Sequence, residues 1–109
     1  MKSLKCASID GIDAVSIDVE STFTKGLPNF SIGGMANTAI LESKDRIKSA
    51  LLTNEFKFPP KRITINLSPS EIAKKGSQVD LSIALLIALQ ETKVELSDFY
   101  VFGELGLDG

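Results

Sequence analysis

The sequence predicts one α/β domain, a chain that combines a β-sheet with helices, and three patterns predict it. Apolar and polar residues alternate on both sides of an Asp10-Gly11 step, apolar positions recur at helical spacing over residues 38–53, and residues 81–89 are apolar except for Ser82. Alternation with a period of two places every second side chain on one face of a strand, whereas recurrence near 3.6 makes a helical stripe.

Taken in order, Leu4, Cys6 and Ser8 fall on one side of the Asp-Gly step and Ile12, Val15, Ile17 and Val19 on the other. Alternating segments joined through Asp-Gly predict an antiparallel hairpin. Gly26-Leu27-Pro28-Asn29 is turn chemistry, and residues 30–32 form a short apolar strand closed by Gly33-Gly34. The helix over 38–53 carries Ile40, Ile47, Ala50 and Leu51 on its apolar side. Glu42, Lys44, Asp45, Arg46 and Lys48 occupy its other faces, Asn37 precedes it as an N-cap and Asn54 ends it. Glu42 and Arg46 are spaced for an i,i+4 ion pair, and the charged run reads as a solvated face. Pro59-Pro60 leads into the β-branched strand 62–67, and a Ser68-Pro69-Ser70 turn follows. The run 81–89 is apolar almost all round, so it must be enclosed on most sides as the central helix, with Asp80 placed to cap its first turn. Residues 99–102 predict a strand, and 103–109 begin another that stops at Asp108-Gly109, a hairpin signal whose return strand would lie beyond the chain.

Composition narrows the function. With 43% hydrophobic and 24% charged residues the chain has ordinary globular make-up, and its 109 residues suit a single core. A net charge of −2 supplies no bulk field toward nucleic acid or an anionic membrane, so contact with DNA would need a local patch. No leader-like or membrane-spanning apolar run occurs, from which a cytoplasmic location is expected. Cys6 is the single cysteine and reads as a small core residue. Histidine is absent, which removes Ser-His-Asp and Cys-His catalysis and most zinc sites from this chain.

What remains for chemistry is Lys, carboxylate, Ser and Tyr. Ser68, Ser70, Ser77 and Ser82 are the candidate hydroxyl nucleophiles, with Lys74 and Lys75 the nearest candidate bases. Such a pair works only when the amine is desolvated enough to lose its proton near neutrality, whereas adjacent lysines in a Gly-containing loop are expected to be solvated. Gly33-Gly34 is not followed by the lysine of a phosphate-binding loop, and neither GxxxxGK[ST] nor GxGxxG occurs. No cofactor or metal site is expected within these residues. Lys61, Arg62, Lys74 and Lys75 form a candidate basic surface for DNA or a protein partner.

Gly26-Leu27-Pro28-Asn29-Phe30-Ser31-Ile32-Gly33-Gly34 is followed by Glu42-Ser43-Lys44-Asp45-Arg46-Ile47 and by Phe58-Pro59-Pro60-Lys61-Arg62-Ile63-Thr64-Ile65-Asn66-Leu67-Ser68-Pro69. Lys75-Gly76-Ser77, Asp80-Leu81-Ser82-Ile83-Ala84, Phe102-Gly103-Glu104-Leu105 and Leu107-Asp108-Gly109 then succeed one another. In this order the segments resemble the N-terminal domain of the Mg-chelatase-related ComM/YifB family of AAA+ ATPases. The resemblance implies an α+β fold: a Lon-protease-like domain of the ribosomal-protein domain 2-like fold, with a mixed sheet and two main helices packed on it. It implies an AAA+ module downstream that would use ATP and Mg, assembly of that parent as a homo-hexamer, and action on branched DNA in recombination and natural transformation. In Lon the nucleophilic serine stands in a Gly-Pro-Ser-Ala-Gly segment just before the central helix. The corresponding residues here are Gly76-Ser77-Gln78-Val79-Asp80, so Gln78 occupies the nucleophile position. An amide cannot be activated as a nucleophile at neutral pH. The resemblance therefore implies a non-catalytic domain that assists assembly or DNA handling. The competing reading is a divergent Ser-Lys peptidase using Ser77 with a lysine beyond Gly109, and a free-standing binding module is the third.

Overall fold

The computed structural model describes residues 2–10, 13–34, 37–68 and 77–109, the side chains of 8–10, 13, 14, 37 and 77 excepted. Strands β1 (Lys2–Asp10) and β2 (Asp13–Thr24) form the expected hairpin, antiparallel in a register that runs from Lys2 opposite Ser21 to Asp10 opposite Asp13. β3 (Asn29–Gly33) and β4 (Arg62–Ser68) match the two other predicted strands. The sheet order is β1-β2-β4-β3, with β2 and β4 antiparallel and β3 and β4 parallel. Parallel neighbours cannot be joined by a tight turn, and helix α1 (Asn37–Thr53) lies in the crossover between them. A single-turn 3-10 segment, Ser77–Val79, leads into α2 (Asp80–Ala88). The arrangement is the expected mixed sheet with two main helices.

Alternation decides which face is covered. Leu4 and Cys6, Ile17 and Val19, Phe30 and Ile32, and Ile63, Ile65 and Leu67 are buried, while Ser16, Asp18, Glu20 and Asn66 face solvent. One core gathers these strand residues with Ile47 and Leu51 of α1 and with Ile83, Ala84, Leu86 and Ile87 of α2. α2 packs on β1, β2 and α1. Its buried positions run around the helix, as a run apolar on all sides requires. Cys6 is fully buried, as expected of a small core residue.

Gly34 follows β3 with φ +95°, and a Cβ there would lie 2.6 Å from the Leu67 carbonyl oxygen. The turn after β3 thus demands glycine for both its backbone angle and its close approach to β4.

Two predicted features differ. Residues 99–102 do not form a strand: Tyr100 makes an isolated parallel bridge to Lys5. The Lys5 N–H donates to the Phe99 carbonyl at 3.0 Å and the Val101 N–H to the Lys5 carbonyl at 2.7 Å. Beyond that point the segment turns its hydrogen bonds to the start of α2, with the Gly103 N–H on the Gln78 carbonyl and the Leu81 N–H on the Gly103 carbonyl. A ladder cannot continue when alternate backbone groups are engaged elsewhere. No strand begins over 103–109, which ends in a turn. The expected Asn37 N-cap, and the turn residues Gly11, Ile12, Pro69 and Ser70, lie outside the described residues or side chains.

The end of α1 is made by backbone geometry as well as by Asn54. The Phe56 N–H reaches the Leu51 carbonyl at 2.9 Å, the Glu55 N–H reaches that of Leu52 at 3.2 Å, and Glu55 adopts φ +67°. This is the Schellman pattern, in which the left-handed residue is usually glycine. The Asn54 side chain adds a bond from Nδ2 to the Ala50 carbonyl at 2.8 Å. Placing glutamate in the left-handed region costs about 1 kcal/mol. Glu55→Gly is therefore expected to raise unfolding free energy by roughly 0.5–1 kcal/mol in urea titrations; an unchanged or lower midpoint would contradict that strain.

Candidate functional site

Two places gather polar side chains, and the first lies at the start of α2. Asp80 is the first residue of the helix and fully buried. It does not cap: Val79 holds the cap position and makes no side-chain capping bond. Its carboxylate instead meets the inner face of α1. Arg46 Nε donates to Oδ2 at 2.5 Å, Arg46 Nη2 to Oδ1 at 3.2 Å, and Ser43 Oγ to Oδ1 at 2.9 Å. Ser43 Oγ in turn accepts from Arg46 Nη2 at 3.1 Å, which closes the triangle. The two-point guanidinium contact fixes orientation as well as charge.

Arg46 thus departs from the expected solvated face. Its side chain is 20% exposed, and its spacing to Glu42 leaves only a 3.9 Å contact with a carboxylate that is 72% exposed. The hydrogen bond to Asp80 raises the guanidinium pKa above its already high ordinary value, so the cation persists at every physiological pH. Sequence reasoning missed Ser43 and Arg46 as inward-facing. Ser43 stands four residues before Ile47 on the apolar stripe, which is the signal that a polar partner is needed across the core.

The described candidate nucleophiles do not join this triangle. Ser82 is buried and donates its hydroxyl to the Val101 carbonyl. Ser68 is exposed at the end of β4. Ser70, Lys74 and Lys75 lie outside the described residues, as does the Ser77 side chain. Gln78 presents its backbone carbonyl to the Gly103 N–H at 3.0 Å and to Cys6 Sγ at 3.4 Å. Burial pushes the Cys6 thiol pKa up, against smaller opposing effects from Ser82 and the Ala7 carbonyl. Both its inaccessibility and its protonation make it unreactive. Among the described residues no group of three or more His, Cys, Asp or Glu is arranged to hold a metal ion. No described helix is long and apolar enough to cross a membrane.

The second place is an open cleft of about 360 Å³ between α1, β3 and the approach to β4. Phe30 and Phe58 form its floor, their ring centroids 5.5 Å apart and tilted by 51°. Lys44 Nζ lies 5.8 Å from the Phe30 centroid and Lys48 Nζ 5.4 Å from that of Phe58. Pro28, Asn29, Asp45, Pro59 and Lys61 complete the walls. Of the predicted basic surface, Lys61 therefore joins this cleft, where it makes a loose 3.9 Å contact with exposed Glu91. Arg62 is exposed as the first residue of β4 and does not line the cleft. Lys44 and Lys48 were not among the candidates, because helical spacing shows that they share a face but not that two rings lie beneath them.

The family described as subunit ChlI of Mg-chelatase matches residues 19–109. An uncharacterized protein YifB of Escherichia coli is 39% identical over 102 residues, 91% of this chain and 20% of its own length. Competence protein ComM of Haemophilus influenzae is 35% identical over the same shares, and an uncharacterized Mycobacterium tuberculosis protein is 31% identical over 94% of this chain and 21% of its own. The chain spans about a fifth of the length of the curated relatives it matches.

Removing one partner of a buried ion pair strands the other. Arg46→Ala is expected to lower unfolding free energy by about 3 kcal/mol in chemical denaturation, while Arg46→Met combined with Asp80→Leu recovers most of it. Equal stability of Arg46→Ala and the unsubstituted chain would remove the pair as a structural element. For Cys6, native-state alkylation is expected to be slow and to become rapid only in denaturant. Its raised pKa means that above about pH 8.5 the unfolded thiol loses its proton before the folded one, so stability falls as pH rises; Cys6→Ala should flatten that slope.

Proposed function

This chain belongs to the family of subunit ChlI of Mg-chelatase, with YifB and ComM proteins among its relatives, and we propose on that footing that it is a non-catalytic domain of a larger ComM-type AAA+ ATPase. In this reading it assists assembly of the parent hexamer or its handling of DNA during recombination. ATP and Mg serve the ATPase module, which this chain does not supply: it contains no GxxxxGK[ST] loop.

The observation that carries the reading is the use made of the start of α2. A Lon-like nucleophile would stand there, and the sequence offers Gln78 instead. The buried carboxylate two residues later is committed to Arg46 and Ser43, and the Ser82 hydroxyl to a backbone carbonyl. A general base must be able to exchange its proton with the reacting group, and Asp80 is enclosed in a charge-neutral, fully hydrogen-bonded triangle away from solvent. These groups serve to lock two helices together. A rigid module that presents surfaces is what such locking supports.

Deleting this domain from the full-length protein is expected to weaken hexamer formation in size-exclusion chromatography or to weaken DNA affinity, while the ATPase module keeps its nucleotide binding. A deletion that alters neither would sink the proposal. Incubating the longer protein with a fluorophosphonate probe should leave Ser77 unlabelled; labelling that disappears in Ser77→Ala would establish the peptidase reading in its place.

A further inference from the structure

The cleft floored by Phe30 and Phe58 carries a charge balance opposite to that of the chain. Lys44, Lys48 and Lys61 line it against a single carboxylate, Asp45, on a chain of net charge −2. Among the described residues Lys44 and Lys48 make no ion pair, and Lys61 makes only the loose one with Glu91. Two ammonium groups are instead held over ring faces, each within the roughly 6 Å at which a ring's negative face attracts a cation. That attraction places the charges without cancelling them.

We propose that this cleft binds the phosphodiester backbone of a nucleic-acid strand, a deepening that rests on the DNA-handling half of the reading above. Three features select this ligand. Lys44 and Lys48 are one helical turn apart, about 6 Å along the axis, and each strand of a DNA duplex carries one charge per roughly 3.4 Å of the duplex axis. A strand lying along α1 can therefore meet both. The cationic groups are lysines, point charges that take phosphate oxygens without the planar two-point geometry of an arginine fork, and Arg62 is outside the cleft. Phe30 is buried, Phe58 is half-buried and an ammonium group stands over each ring, so the cleft offers a ligand cations more than open aromatic faces. Recognition is then of the backbone and independent of sequence, with Asn29 adding a neutral polar group at the rim.

The test is a fluorescence anisotropy titration of a labelled 20-nucleotide single strand and the matching duplex with the 109-residue chain, from 50 to 200 mM salt. The Lys44→Gln/Lys48→Gln variant is expected to bind on the order of tenfold more weakly at 50 mM, with a log-log salt slope shallower by about 2. Lys44→Arg/Lys48→Arg should retain binding, and Lys93→Gln, a lysine outside the cleft, should leave it unchanged. Circular dichroism confirms that each variant is folded. Equal binding by the Gln pair and the unsubstituted chain overturns the cleft but leaves the assembly or DNA-handling role standing, since that depends on the deletion experiment. So does an equal loss in Lys93→Gln, which would reduce the effect to bulk charge. Absence of oligonucleotide binding by the unsubstituted chain, or displacement of DNA by polyglutamate at lower charge concentration than by unlabelled DNA, overturns it as well.

Discussion

The buried carboxylate of Asp80 constrains everything around it. A carboxylate out of water is tolerated only when its oxygens are paired and hydrogen-bonded, and here both conditions are met by residues of a different helix. Because Ser43 and Arg46 lie one turn apart, only one rotation of α1 presents both to Asp80. That rotation also aims Ile47, Ala50 and Leu51 at the core and leaves Lys44 and Lys48 on the flank above Phe30 and Phe58. The ion pair therefore sets the face that α1 offers to β3 as well as its contact with α2.

The start of α2 is engaged by a second segment as well. The segment 99–103 is held between β1 and α2 by backbone bonds from Lys5, Gln78 and Leu81, and Ser82 fastens its Val101 carbonyl from below. Gly103 passes so close to Leu81 that a Cβ would lie 3.1 Å from its Cδ2. A helix start enclosed by an ion pair on one side and a threaded segment on the other has little freedom to rearrange.

Much of this was legible in the chain. The hairpin, β3, β4 and both helices were each written in a local pattern strong enough to survive folding, and the apolar run of α2 announced its own burial. The resemblance to the ComM/YifB family and the match to subunit ChlI of Mg-chelatase agree. Less legible were features that depend on distant partners. Arg46 stood among exposed charges and looked like one of them, because its counter-charge lies 34 residues away. Asp80 had the residue type and position of a cap, and tertiary pairing overrode that local role. Residues 99–102 had strand composition, but one strand residue, Lys5, supplied all the pairing they received. The cleft escaped notice for the same reason: Lys44, Phe30 and Phe58 come from three separate stretches.

Among the described residues the order of the sheet leaves β3 at one margin. Unpaired strand margins are where separate chains join into aggregates, and short, charge-guarded ones resist this. β3 is five residues long, ends at a glycine pair whose second member turns left-handed, and is overlooked by Lys44. A strand laid beside it would have at most these five residues to pair with, next to a flank where Lys44 stands over Phe30, so the residues that line the cleft also border the sheet's margin.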